Sequence, residues 1–284
     1  MIPRLLALVE IEITKLLRQG FFYSTFATVV LATALSIWGA WRQFDPANTV
    51  EIFNGQTCFL QAASRGLFVG AFLVLIWTAL TVSQESGQGV YRIVLAKPVA
   101  RMEFFFAKYC ASAIFLLLVS WLAIILAYSL SGMLFGYGDI MDYGTSPPIL
   151  KMAQADAARL MVRGILLSLP GMLALAAFGL FCSSVTDNSG IAVGAALGGY
   201  MILELLRGMF PELKSYMFAS YLPPLTFVEN PPLAPMLLAI DSTKGFSSPW
   251  DAGMINMSVF CPLIFVIVII PLSAIIFYRR DILT

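Results

Sequence analysis

Charged residues whose spacing suits recognition are concentrated between residues 85 and 108. Glu85 follows a long apolar run, Gly87 and Gly89 loosen the chain, and a short amphipathic stretch comes next in which Val90, Ile93 and Val94 share one helical face. Leu95 continues that stretch and Pro98 stops it, because proline disrupts a helix interior. Arg92, Lys97, Arg101 and Lys108 set cations around it. A short helix held between two apolar segments is well placed to be gripped by a soluble partner. Its chemistry is binding, not bond-making. Elsewhere the catalytic residue types are sparse. The chain has no histidine, which removes the commonest general base and the commonest metal ligand together. Cys58, Cys110, Cys182 and Cys261 lack C-x-x-C spacing. The carboxylates do not cluster in sequence, and no G-x-x-x-x-G-K-[ST] loop for nucleotide phosphates is present. We therefore expect no catalytic residue and no metal site.

The elements that must position this loop follow from composition. Of 284 residues, 60% are hydrophobic and 12% charged, against about 45–50% and about 25% in a soluble domain. So little charge cannot cover an ordinary water-exposed surface, which excludes a soluble enzyme, and such hydrophobicity excludes a disordered chain. A net charge of +1 without a basic stripe argues against nucleic acid as a partner. The natural partner is the lipid bilayer.

A bilayer core of about 30 Å needs roughly 20 apolar helical residues. Uncharged runs cover Gly20–Trp41, Gly66–Gln84, Tyr109–Gly138, Gly164–Thr186, Asn188–Leu203 and Ala252–Tyr278. The fifth is short and extends through Glu204, a carboxylate tolerated at an interfacial end. The fold class expected is an all-α integral membrane protein with six spans at 20–41, 62–84, 109–132, 160–183, 188–209 and 252–278. An amphipathic helix at 1–19 precedes them. Its Ile2, Leu5, Leu6, Val9, Ile13, Leu16 and Leu17 form one stripe, flanked by Glu10 and Glu12, as in an elbow helix lying in the interface. It lacks the apolar core and cleavage site of a signal peptide.

An even span count puts both termini on one side. With the termini inside, the short segments 1–19, 84–108, 183–189 and 279–284 carry the denser share of lysine and arginine, which favours cytoplasmic termini. The segment 210–251 then lies outside. It is apolar yet broken by Pro223, Pro224, Pro231 and Pro232, so it reads either as a re-entrant outer gate or as a cap resting on the leaflet. The stretch after Ser146-Pro147-Pro148 reads as an outward extension of the fourth span. Gly190, Gly194 and Gly198 repeat every fourth residue, a packing face that serves within the protomer or between protomers. Glu204 and Arg207 are spaced to pair along a helix.

The loop residues Glu85, Gly87, Gly89, Leu95, Pro98, Arg101 and Lys108 resemble the type-2 class of ABC transporter permeases. Their first cytoplasmic loop carries an acidic residue and glycine, a leucine-rich short helix, Pro-x-x-Arg and then a lysine. The N-terminal helix with Glu12 and Lys15, the six spans and the basic end Tyr278-Arg279-Arg280-Asp281 fit as well. Val90 and Tyr91 stand where a threonine or serine is usual. The resemblance implies a permease without an ATPase site of its own. Two copies, or one copy and a paralogue, would form the path in a bacterial inner membrane. Two ATP-binding subunits, carrying ATP and its magnesium, would dock inside, and no cofactor would bind this chain. Residues 88–97 would be the coupling helix, with Glu85, Gly87, Gly89, Val90, Arg92, Ile93, Leu95, Pro98 and Arg101 serving it. Ser184 and Asp187, in the turn 183–188, would give a second inner contact.

Three other functions compete with an exporter. A mechanical transmitter of the same build would drive an envelope or periplasmic protein through the outer segment. An ion-coupled secondary transporter would want ionisable groups at midplane, and the runs contain none before Glu204. A membrane enzyme would need the clustered catalytic groups that the chain lacks.

Overall fold

The computed structural model describes residues 2–43, 54–87, 101–142, 149–223 and 252–279. Its long helices are α1 (Ile2–Arg18), α2 (Gly20–Gln43), α3 (Gly55–Gly87), α4 (Arg101–Phe135), α5 (Gln154–Val185), α6 (Ser189–Met209) and α7 (Ala252–Arg279). Six of them, α2 to α7, contain stretches long and apolar enough to cross a membrane. The chain is an all-α, multi-pass membrane protein. Two short 3-10 turns, Pro211–Tyr216 and Phe218–Tyr221, follow α6.

The helices alternate in direction. The end of α3 and the starts of α4 and α6 gather at one pole, with α1 against them. At the other pole the starts of α3 and α5 meet the end of α4. There Gly55 N–H donates to Gly136 O at 3.1 Å, and Asn54 Nδ2 donates to Gly138 O at 2.8 Å. Gly136 turns the chain with φ +67°, a conformation that suits glycine. A small antiparallel hairpin, β1 (Ile140–Asp142) with β2 (Ile149–Met152), then leads into α5. Outward extension of α5 from its span therefore begins at Gln154.

The core runs along α3 and α5, the two helices richest in buried residues. α3 packs between α4 and α5. Val74, Leu75, Phe115, Leu116, Met172 and Leu175 are among the residues buried there. A second cluster at the loop pole joins Val82, Phe104, Phe105, Leu180, Ile270, Ala274 and Phe277, tying α7 to the ends of α3, α4 and α5. Gly179 allows the closest approach. A Cβ there would stand 2.1 Å from Thr78 Oγ1 and 2.8 Å from Leu75 O, so only glycine lets α5 seat on α3 at this point. Pro170 lies inside α5, and Pro262 and Pro271 lie inside α7.

α3 and α4 both start well ahead of the uncharged runs they contain. α3 starts at Gly55, ahead of Arg65, because Cys58, Phe59, Leu60, Ala62 and Ala63 are buried. Phe59 also makes an edge contact with Tyr128 of α4, centroids 5.8 Å apart. α4 starts at Arg101, ahead of Lys108, because Phe104, Phe105 and Ala107 are buried and Lys108 is neutralised within the fold.

Candidate functional site

The site lies at the loop pole and is built on three helices. α1 brings Glu12 and Lys15, the last turn of α3 brings Glu85, and the second turn of α4 brings Lys108. Together they close a ring of alternating charge. Lys15 Nζ lies 2.9 Å from Glu12 Oε1 and 3.2 Å from Glu85 Oε1. Lys108 Nζ lies 3.1 Å from Glu12 Oε2 and 2.9 Å from Glu85 Oε2. Each carboxylate thus gives one oxygen to each lysine. The contact between Lys108 and Glu85 is a close charge pair rather than an aligned hydrogen bond, while the other three are hydrogen-bonded.

Burial is uneven around the ring. The Lys108 side chain is 1% exposed and Glu12 5%, while Glu85 is 17% and Lys15 37% exposed. A charge buried this deeply is tolerated only when it is paired. Lys108 also sits over the Phe104 ring, 4.8 Å from its centroid, a cation–π arrangement. Burial of Glu12 works to raise its pKa, but Lys108 and Lys15 outweigh it and hold the carboxyl below its usual value. For Lys15 burial works downward, and Glu12 and Glu85 outweigh it, so the ammonium is held above its usual value. Both groups therefore stay charged through the neutral range.

The face of α1 turned to the bundle is Val9, Glu12 and Leu16, all buried, whereas Leu6 and Leu17 of the same helix are exposed. Beside the ring a cavity of about 410 Å³ opens between α1 and α3, lined by Glu12, Lys15, Gln19, Trp77, Thr81 and Gln84 among others. Trp77 Nε1 donates to Gln19 Oε1 across it at 3.1 Å.

A second set of contacts joins α3 to the turn between α5 and α6. Ser183 Oγ accepts from the backbone N–H of Val82 at 3.0 Å and of Ser83 at 2.9 Å. Ser86 Oγ donates to Asp187 Oδ1. A Cβ on Gly87 would lie 3.0 Å from Asp187 O. Asn188 caps α6, its side chain accepting from Gly190 N and Ile191 N. Thus the end of α3 is fastened to α1 and α4 on one side and to the end of α5 and the α5–α6 turn on the other.

The sequence-derived residues fall as follows. Glu85 is in the ring, and Gly87 is the last residue of α3, against Asp187. Arg101 opens α4. Gly89, Val90, Arg92, Ile93, Leu95 and Pro98 lie outside the described residues. Asp187 is exposed at the turn. Ser184 is buried and donates to Phe181 O at 2.7 Å, so its side chain faces the bundle. A Cβ on Gly194 or Gly198 would meet nothing within 4 Å, and one on Gly190 would meet only that residue's own cap, Asn188 Oδ1, at 3.2 Å. Among the described residues that glycine row is therefore open. Pro223 is buried after the second 3-10 turn, while Pro224, Pro231 and Pro232 lie outside the described residues. Glu204 is held twice, by Arg207 Nη2 at 2.9 Å and by Tyr200 OH at 2.8 Å. No group of histidine, cysteine or carboxylate residues able to hold a metal ion occurs among the described residues.

Sequence reasoning named all four ring members without bringing them together. It placed Glu12 at the flank of the apolar stripe, yet Glu12 lies on the face packed into the protein. The available signal was a pair of opposite charges at the facing ends of two consecutive spans, Glu85 and Lys108, with a second such pair three residues apart in α1.

Compared with known proteins, residues 6–282 match the family model described as ABC-2 family transporter protein. No curated protein matches the chain.

Proposed function

Because the chain belongs to the ABC-2 family of transporter proteins, a family of transmembrane permease subunits that typically work with an ABC ATP-binding subunit, we propose that it is the permease of an ATP-driven exporter coupled through residues 88–97. The observation that carries this reading is the charge ring. Glu85 and Lys108 stand at the two roots of the 88–97 segment and are locked to each other and to α1. A pull on that segment by a soluble subunit reaches α3, α4 and α1 together. The contacts of Ser183 and Asp187 carry it on to α5 and α6.

ATP binding would draw two partner subunits together and tilt the helices between two access states, a two-state switch biased by the partner. A second copy of the chain, or a paralogue, completes the path, with its contact on the open glycine row of α6. Both termini then face the cytoplasm of a bacterial inner membrane, with α1 at its surface and the proline-rich segment on the outer side as a gate. The held state of Glu204 argues against ion coupling, since both of its oxygens are already engaged.

The test is the triple variant Val90→Ala, Ile93→Ala, Val94→Ala, purified in gentle detergent and assayed for capture of its ATP-binding subunit. Removing the apolar face of the segment should abolish capture while the six spans remain inserted. Undiminished capture would remove residues 88–97 from the coupling role.

A further inference from the structure

At the pole opposite the charge ring, α5 and the hairpin shape a groove of about 1100 Å³. This is at the top of the range of small-molecule sites, about 300–1,000 Å³. Its walls are Leu150 and Met152 of β2 and the α5 residues from Ala153 to Leu167 that include Asp156, Arg159, Val162, Arg163 and Leu166. The apolar members Leu150, Val162 and Leu166 are each more than half exposed. Two arginines one turn apart, Arg159 and Arg163, stand among these apolar residues, with Leu166 one turn further along the helix. Arg159 makes a loose, exposed pair with Asp156 at 3.5 Å, which is worth little. Arg163 has no carboxylate partner among the described residues.

Depth along α5 gives the two arginines a chemical setting. From Arg163 to the last helical residue, Val185, the helix rises about 33 Å at about 1.5 Å per residue. The hydrocarbon core is about 30 Å thick. With Val185 at one boundary, Arg163 stands at the headgroup level of the far leaflet and Arg159 one turn beyond it. Leu166 lies one turn deeper, among the acyl chains. Arginines at the headgroup level with Leu166 and Leu167 of the same groove below them match an anionic amphiphile in charge and depth.

We infer that this groove holds an anionic phospholipid of the leaflet at the hairpin pole, its phosphate on Arg159 and Arg163 and an acyl chain running down past Leu166 and Leu167. Asp156 opposes the headgroup and limits the affinity. The inference rests on the six-span fold and not on ATP coupling, so it can fail while the exporter reading stands.

The test is native mass spectrometry of the purified full chain, titrated in detergent with phosphatidylglycerol or with phosphatidylcholine of the same chains. The wild type should retain phosphatidylglycerol preferentially. Arg159→Gln and Arg163→Gln should weaken retention about fivefold for each arginine removed, bringing the double variant to the phosphatidylcholine level. Asp156→Asn should strengthen it. All three side chains are exposed, so the variants retain the fold, and a thermal melt checks this. Equal retention of the two lipids by the wild type, or unchanged retention by the double variant, would overturn the inference. So would displacement of the lipid by excess inorganic phosphate, which would mean that the arginines hold a free anion.

Discussion

Replacing Lys108 by methionine keeps the length of the side chain and removes one charge from the most deeply buried corner of the ring. Lys108 is 1% exposed and lies 3.1 Å from Glu12 Oε2 and 2.9 Å from Glu85 Oε2. Without it, one oxygen of each carboxylate loses its cation in a site that water reaches poorly. Breaking a buried pair from one side costs about 3–5 kcal/mol. Lys15 still holds the other oxygen of each carboxylate, so the loss should fall near the lower end, about 3 kcal/mol. Lys15→Met should cost about 1 kcal/mol or less, because that lysine is 37% exposed and exposed pairs contribute little. The decisive comparison is the cycle of Lys108→Met, Glu12→Gln and the double variant. Glu12→Gln alone strands Lys108 in part, and combining the two removes Lys108 and Glu12 together, leaving the pair of Glu85 with Lys15. The double variant should therefore be less unstable than the sum of the singles by about 1.5–3 kcal/mol. Equilibrium unfolding in mixed micelles reads all four corners. Additivity within about 0.5 kcal/mol, or equal costs for Lys15→Met and Lys108→Met, would refute the claim that the four residues act as one buried unit.

Three further outcomes follow from the same geometry. The Glu12 carboxyl is held below its usual 4.5 and the Lys15 ammonium above its usual 10.5. The Glu12 contribution is therefore complete above 4.5 and is lost as pH falls through its lower folded value. The Lys15 contribution is complete below 10.5 and is lost as pH rises through its higher folded value. The combined share of Glu12 and Lys15 should be flat between those limits in a pH series of unfolding curves, and a loss of it near neutrality would contradict this. Gly179→Ala should destabilise the fold by about 1–3 kcal/mol, since its Cβ meets Thr78 Oγ1 at 2.1 Å. An unchanged melting temperature would show that α5 and α3 are not so close. A Cβ at Gly194 or Gly198 has open space around it, so Gly194→Leu and Gly198→Leu should leave the protomer's melting temperature intact and disrupt association of two copies, read by cross-linking in the membrane. Loss of protomer stability without loss of association would reverse that assignment.

The number of spans was legible because lipid tolerates few charges, and six runs of the sequence meet that condition. The lengths of the helices were less so. A count of uncharged residues stops at Arg65 and Lys108, yet α3 and α4 run past both. Lys108 is neutralised by Glu12 and Glu85 across other helices, a pairing that no local pattern reveals. The same holds for Glu12, which a helical wheel assigns to the edge of an apolar stripe although Val9, Glu12 and Leu16 form the face against the bundle. The pairing of β1 with β2 rests on three or four residues in each strand, too short a signal for alternation to show. At the site, the roots of the loop were visible as charged residues beside apolar runs. Their joining into a ring needed the fold. The cross-helix bonds of Ser183 were not legible, because one residue along a helix changes the face by about 100°, which sequence alone does not orient.

The most direct measurement of the central claim is purification of the tagged chain from its native host in gentle detergent, with quantitative mass spectrometry of what accompanies it. An ABC ATP-binding subunit should accompany the chain in about a one-to-one ratio and be lost in the triple variant of Val90, Ile93 and Val94. A stable chain that carries no ATP-binding subunit would contradict it.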